Sequence, residues 1–566
     1  MFKYKDSDLY EALKELGIVD EKILTLLYDK TQKSKTSFYK GLLDEGLISE
    51  KNLGKTLANL LGLPYIQLSQ TIIDDNVLKK VPFAFAKKQR MIVFRIEEGV
   101  AHVATSRPDN HMGSDYLQRI LSEKIKLYFC TDNEIRDVLL LYQKKAILIF
   151  QDIIDKSVKK AKNDKTIEPP IIQIVDTIVE YAVQKKTSDI HIEPTETSVL
   201  VRFRIDGILH DIVKLPLDLH ERIITRIKVM SNLRTDEHRK PLDGKIRWVS
   251  KDSDDKALNN KIDIRISIVP SVDGEKVVMR ILSDQSRQLS LTNLGFSPSD
   301  LKKVDEAYHR PQGLILSTGP TGSGKTTTMY SILKLLNRRE VNIATIEDPV
   351  EYDLEGITQI QVNTKTELTF SKGLRSIVRQ DPDIVLVGEI RDGETASIAI
   401  NAAMTGHLVL STLHTNDAAT TIPRLVDMGI EPYLLASTIN VIVAQRLVRK
   451  IHSKCMHSTE VVIDKLKNSF EKETLRSVFG DKEKIRTYKG KGCKICQQTG
   501  YQGRIGIYEI LVIDDEIRQA IVDKKNASFI NDLAVKNGMK TMTIDGLEKI
   551  KQGVTTIDEL MRVTRE

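Results

Sequence analysis

The stretch Gly313-Leu-Ile-Leu-Ser-Thr-Gly319-Pro-Thr-Gly-Ser-Gly-Lys325-Thr326-Thr327 decides the fold. Its first half is a short apolar strand, its middle fits G-x4-GK[ST], and the residues after it are compatible with a helix. The glycines let backbone N–H groups wrap a phosphate, Lys325 can reach the terminal phosphates, and the Thr326 hydroxyl can hold Mg²⁺. Gly319, Pro320, Thr321, Gly322, Ser323, Gly324, Lys325, Thr326 and Thr327 are therefore the expected nucleotide-binding set.

Around this loop, residues 311–450 alternate strand-like runs (GLILSTG, VNIATIE, DIVLVGE, HLVLSTL) with helix-compatible ones. That pattern predicts a mostly parallel sheet covered by helices. DIVLVGE ends in Glu389, at the edge where the phosphate loop lies; such a carboxylate acts through Mg²⁺ or orients water. TIEDPVEY offers Glu347, Asp348 and Glu351 at the same edge. Each acidic cluster taken alone also reads as loop surface, and the neighbouring phosphate loop favours catalysis. His414 ends the last run, where it can hydrogen-bond a γ-phosphate. His407 begins that run and reads as structural or coupling.

Upstream, residues 171–290 contain a helix, the runs SDIHIEP and VLVRFRIDGILHDIV with a hairpin at Asp206-Gly207, and two further strands. Arg265 and Arg280 flank SIVPSVDGE in those strands, either as surface charge or as positive charge for the leaving phosphates. Residues 1–150 begin with a helical echo whose glycines, Gly17 and Gly46, are 29 positions apart, and continue into a compact α/β part. Cys130 ends a strand there and reads as a buried structural thiol. Five lysines between Lys156 and Lys165, then Pro169-Pro170, mark a linker at 151–170. The expected order is 1–150, the linker, 171–290, an ATPase core at 291–450, a cysteine knuckle at 451–500, and a mainly helical tail at 501–566.

The chain has four cysteines among 566 residues, too few for a disulfide framework. Three of them fall into one pattern: His452-x2-Cys455, 37 residues, then Cys493-x2-Cys496. Three thiolates and an imidazole suit Zn²⁺ in a closed, structural tetrahedral site. His457 competes as fourth ligand, and unrelated buried thiols are the plainer reading. The net charge of +7, from 85 basic and 78 acidic residues, hints at a polyanion. Aromatic residues make up only 5%, with no aromatic-rich basic stripe for stacking bases, so no nucleic-acid partner is expected. No membrane span or signal-peptide core is visible, and a cytoplasmic location is expected.

Together these residues resemble the secretion and type IV pilus assembly ATPases over almost the whole chain. The resemblance rests on SDIHIEP, RFRIDG, RIKVMSNL through PLDGK, DIRIS, GPTGSGKTTT and TIEDPVEY. It extends through GEIRD, TGHLVLSTLHTNDA, GCKICQQTGYQGRIGIYE and DGLEKIKQGVTTIDELMRVT. It implies an α/β, RecA-like P-loop ATPase core preceded by a PAS-like α/β domain and an MshE-like N-terminal adaptor domain, forming a homohexamer. By the same resemblance Glu389 is the Walker B acid and a Mg²⁺ ligand with Thr326, Glu351 polarises water, and His414 is the histidine-box residue. Arg265 and Arg280 complete the site, with Arg391 and Arg379 at the nucleotide or subunit interface. The implied cofactors are ATP, Mg²⁺ and structural Zn²⁺ on His452, Cys455, Cys493 and Cys496, with His452 standing where the family usually has a cysteine. The implied partners are an inner-membrane platform protein (PilC- or GspF-like) and a cytoplasmic adaptor (PilM- or GspL-like), which would hold the chain peripherally at the membrane. The long N-terminal region and the knuckle resemble the pilus extension motor or the type II secretion motor. Cyclic di-GMP is not expected, because the stretches that would bind it read SFYKGLLDEGL and DLYEALKELGI.

Overall fold

The computed structural model describes residues 5–564 except 143–170, 250–260, 283–290 and the loop positions 18, 35–36, 45–46, 49, 69–70, 72, 74, 109–110, 468, 494–495 and 497. The expected linker at 151–170 lies outside the described residues. The chain divides into two compact units, Met1–Gln288 and Leu289–Glu566. Among the described residues no helix is long and apolar enough to cross a membrane.

In the first unit, helices Asp6–Leu16, Glu21–Ser34, Phe38–Asp44 and Glu50–Leu60 bury Leu9, Leu13, Leu24, Leu42 and Leu53 against one another. Strands β1 (Met91–Glu97), β2 (Val100–Thr105) and β3 (Lys124–Phe129) follow as a three-stranded sheet. Cys130 is fully buried there, and burial pushes its thiol well above the usual range, as an inert structural cysteine requires.

Next come β4 (Asp189–Pro194), β5 (Ser198–Ile205), β6 (Ile208–Pro216), β7 (Leu242–Val249), β8 (Lys261–Ser271) and β9 (Gly274–Leu282). They form an antiparallel sheet in the order β6-β5-β4-β9-β8-β7. The β5–β6 turn is Asp206-Gly207 with φ of +48° and +88°, the paired left-handed geometry that a tight hairpin demands. Strand alternation sorts the side chains. Ile190, Phe203, Ile264 and Met279 pack with helices Ile171–Gln184 and His220–Met230, and Asp189, Arg204, Arg265 and Arg280 take the opposite face.

The second unit is built on β10 (Gly313–Thr318), β11 (Ile343–Glu347), β12 (Thr358–Gln361), β13 (Ile384–Val387), β14 (Leu408–Leu413) and β15 (Ile439–Ile451). A separate hairpin, β16 (Met456–Val462) with β17 (Lys484–Gly490), precedes β18 (Tyr501–Val512). The main sheet has the order β12-β11-β13-β14-β10-β15-β18, parallel throughout except for β18, which runs antiparallel to β15. β10 is buried along its whole length. Leu314, Leu316, Ile346 and Val385 enter one core, Ile315, Leu386 and Leu410 the other, which explains why these strands read as continuous apolar runs.

The main sheet runs through Ile451, and the mainly helical stretch at 501–566 begins with a strand of 12 residues before its helices start at Asp515. Residues 506–511 are buried without alternation. Such a short apolar run carries no period that separates strand from helix.

The last helix, Ile557–Thr564, is fastened to β15 by a buried carboxylate. Glu559, 2% exposed, accepts hydrogen bonds from the Arg449 guanidinium (2.5 Å), the Arg449 backbone N–H (3.0 Å) and Arg562 (2.9 Å). Burial alone would raise this carboxyl; the bonds from Arg449 and Arg562 outweigh it and hold its pKa at about 2 against an ordinary 4.5. A depressed carboxyl stabilises the fold above its unfolded pKa and loses that contribution as pH falls through the folded value. Glu559→Gln is therefore expected to cost about 2–3 kcal/mol at pH 7. The gap between wild type and variant should close as pH drops from about 4.5 towards 2, read by denaturant melts at a series of pH values.

Candidate nucleotide site and metal centre

The loop after β10 lies between strands that continue the chain to either side, the crevice where open α/β sheets bind ligands. Gly324, at φ +94°, is the N-cap of the 12-residue helix Lys325–Leu336, so the first-turn N–H groups of that helix face the loop. Lys325 is 8% exposed, and its Nζ donates to the carbonyls of Gly319 (2.8 Å) and Pro320 (3.1 Å). Burial lowers its pKa to about 8, against an opposing pull from Glu389. The hydroxyls of Thr318 and Ser323 are buried with no hydrogen-bond partner among the described residues. A buried ammonium, a helix N-terminus and orphaned hydroxyls fit a polyphosphate, and Thr326 in the first helical turn fits its Mg²⁺.

Glu389 follows β13 and is the hub of the facing wall. Arg391 Nη2 donates to Glu389 Oε1 at 2.6 Å, His414 Nε2 lies 3.4 Å from Oε2, and Arg391 Nη1 lies 3.8 Å from Asp348. Burial and then Lys325 lower the His414 pKa, so the ring is mostly neutral at pH 7 and able to donate or accept a hydrogen bond. A cavity of about 320 Å³ opens beside these groups, lined also by Leu413, Arg424 and Met428.

The other candidates separate clearly. Glu347 is 2% exposed and bonded by Tyr330, Thr345 (2.6 Å) and Gln359 (3.2 Å), which makes it an internal strut and not a ligand. Glu351 is half-buried, two residues past Pro349, whose peptide bond with Asp348 is cis. His407 Nδ1 sits 2.9 Å from the Ala402 carbonyl, a structural role. Arg379 is exposed at the end of helix Phe370–Val378. Arg265 and Arg280 belong to the first unit, directly opposite each other across β8 and β9, and Arg280 Nε donates to Asp189 at 2.9 Å.

Three residues escaped the sequence reading: Asp189, Gln445 and Glu509. Gln445 lies behind the phosphate loop, donating to the Ser323 carbonyl at 2.8 Å. Glu509 on β18 is buried and accepts from the Ala418 N–H at 3.0 Å, just past His414. For Gln445 and Glu509 the available signal was a polar residue set within a mostly apolar strand, VIVAQRLV and GIYEIL. Such a residue stays only if its hydrogen bonds are met.

His452, Cys455, Cys493 and Cys496 converge, with ligand atoms all within 4.8 Å of one another. The Sγ–Sγ separations Cys455–Cys496 and Cys493–Cys496 are 3.8 and 3.7 Å; His452 Nδ1 lies 3.5 Å from Cys455 Sγ and 3.4 Å from Cys493 Sγ. Bonds of about 2.3 Å to sulfur give tetrahedral edges of about 3.8 Å, and a shorter bond to nitrogen gives about 3.5 Å, so the cluster has the dimensions of a zinc site. The backbone N–H groups of Cys493 (3.2 Å) and Gly500 (3.3 Å) point at Cys496 Sγ, the outer hydrogen bonds that steady a thiolate. His457, on β16, is outside this cluster. One zinc per chain is expected by elemental analysis. His452→Ala should lower metal affinity by at least about tenfold, and His457→Ala should leave it unchanged.

Residues 164–562 match the family described as "Type II/IV secretion system protein", and residues 61–146 match the MshEN domain. The chain is 36% identical to the type IV pilus assembly ATPase PilB of Myxococcus xanthus, covering 98% of both proteins. It is 40% identical to the type II secretion system protein HxcR of Pseudomonas aeruginosa, over 86% of this chain and 99% of that one. Among solved structures, the Yersinia pseudotuberculosis ATPase DotB shares the fold with a TM-score of 0.51 at 20% identity, covering 71% of this chain and 95% of that one. With a phosphate loop on the switch strand and full-length relatives of this kind, the chain belongs to the type II/IV secretion system family as a P-loop ATPase of the PilB and GspE superfamily, the ATP-driven motors of pilus and secretion systems.

Proposed function

We propose that this protein hydrolyses ATP to ADP and phosphate to extend a type IV pilus, as a homohexamer held at the inner membrane by a platform protein and a cytoplasmic adaptor. The observation that carries the pilus assignment is end-to-end correspondence. Two pilus assembly ATPases match 98% and 99% of this chain, whereas the HxcR match spans 86%. A type II secretion motor is the second reading, favoured by the higher identity of that relative.

In this reading Lys325 exchanges the Gly319 and Pro320 carbonyls for phosphate oxygens, and Thr326 with Glu389 holds Mg²⁺, whose chemistry is to neutralise charge on the phosphates. Glu351 polarises the attacking water, and His414, poised on Glu389, reports the γ-phosphate. Arg265 and Arg280, on the PAS-like sheet at 189–282, supply positive charge to the developing transition state, with Arg391 and Arg379 at the nucleotide or subunit interface. Zn²⁺ on the four-residue cluster is structural. Residues 1–150 serve as the adaptor domain, and neither nucleic acid nor cyclic di-GMP is a ligand.

Two measurements test this. Lys325→Ala and Glu389→Gln should each lower kcat for ATP at least about a hundredfold, since each removes a group acting on the transferred phosphate. Chromosomal deletion should abolish surface pilus fibres and leave secreted-protein release intact. Loss of secretion with fibres retained would reverse the assignment.

A further inference from the structure

We propose that Gln445 is the positioning residue of the phosphate loop, setting the backbone geometry that receives the polyphosphate without touching it. The side chain is 1% exposed and reaches three points along the loop's path. Its Nε2–H donates to the Ser323 carbonyl at 2.8 Å, within the loop. Its Oε1 accepts from Thr328 Oγ1 at 2.7 Å, in the first turn of the following helix, and from Ser317 Oγ at 3.4 Å, at the end of β10. One planar amide therefore ties the strand, the loop and the helix to a fixed spacing.

The glycine pattern of the loop depends on the same residue. A Cβ at position 319 would lie 2.5 Å from the Gln445 carbonyl oxygen, and one at position 324 would lie 3.0 Å from Gln445 Nε2. Both positions also have φ above +90°, so glycine is required there by backbone conformation and by the approach of Gln445. Among the described residues the Gln445 side chain bonds to Ser317, Ser323 and Thr328 and makes no hydrogen bond to Lys325 or Glu389, so its effect on phosphate passes through the loop and the helix start. When the amide is removed, the buried Ser323 carbonyl is left without a donor, at a cost that turns the peptide and misaligns the N–H groups beside it.

The test is a double-mutant cycle on the full-length protein, with steady-state ATPase kinetics and binding of a fluorescent ATP analogue. Gln445→Met keeps the length and removes donor and acceptor. It should raise KM and the analogue's Kd at least about tenfold, with kcat within about threefold of wild type. Thr328→Val, which removes one hydroxyl, should raise KM about threefold, and the double variant should be no weaker than Gln445→Met alone. A folded Gln445→Met protein with KM within twofold of wild type overturns the proposal, even if its thermal midpoint is lower, and so does additivity in the double variant. If Gln445→Met does not fold, Thr328→Val decides: an unchanged KM overturns the proposal and the threefold rise upholds it.

Discussion

A lysine ammonium taken out of water governs the second unit. Lys325 is held by two backbone carbonyls, and its charge is further compensated by Glu389 across the crevice. Burying a cation is costly unless the surroundings are fixed and polar. The loop is accordingly braced from behind, the helix begins directly at the lysine, and Glu389 is itself held by Arg391 and His414. The outcome is a site whose charges are already oriented, so that a phosphate meets dipoles that need not reorganise.

The first unit shows the opposite arrangement, with charge displayed on a sheet face. Antiparallel pairing sets Arg265 directly against Arg280, a like-charge juxtaposition that weakens a sheet unless it is offset. Asp189, on the next strand and buried, provides the offset through Arg280 Nε and lies 3.5 Å from the Arg204 guanidinium. Arg280 makes this contact through Nε while most of its side chain stays exposed. The hairpin that joins these strands thus fixes the spacing of two cations, which loops could not hold as firmly.

Legibility followed the physics of each signal. The phosphate loop, the parallel strands around it and the His-Cys pattern were readable because glycine spacing, buried apolar runs and ligand chemistry act locally. The choice of His452 over His457 was not, since it depends on how the chain turns between β15 and β16. Glu347 and Glu351 are equivalent on paper, and only the packing of Tyr330 and Gln359 shows that the first is committed internally. The run RIGIYEI stands out within the mainly helical tail, but the full length of β18 and its pairing do not show, because its apolar core has no alternation and its partner β15 lies about fifty to seventy positions earlier in the chain.

That distant pairing has a consequence for synthesis. β15 carries Gln445, and it is completed on one side by β18, while Arg446 and Arg449 bond to Val563 and Glu559 in the final helix. The loop at 319–326 is therefore supported by β15, which is itself steadied by elements far downstream of the loop in sequence. During synthesis the loop sequence exists before the elements that seat it, so a braced loop can form only after β15 and its partner β18 have been made.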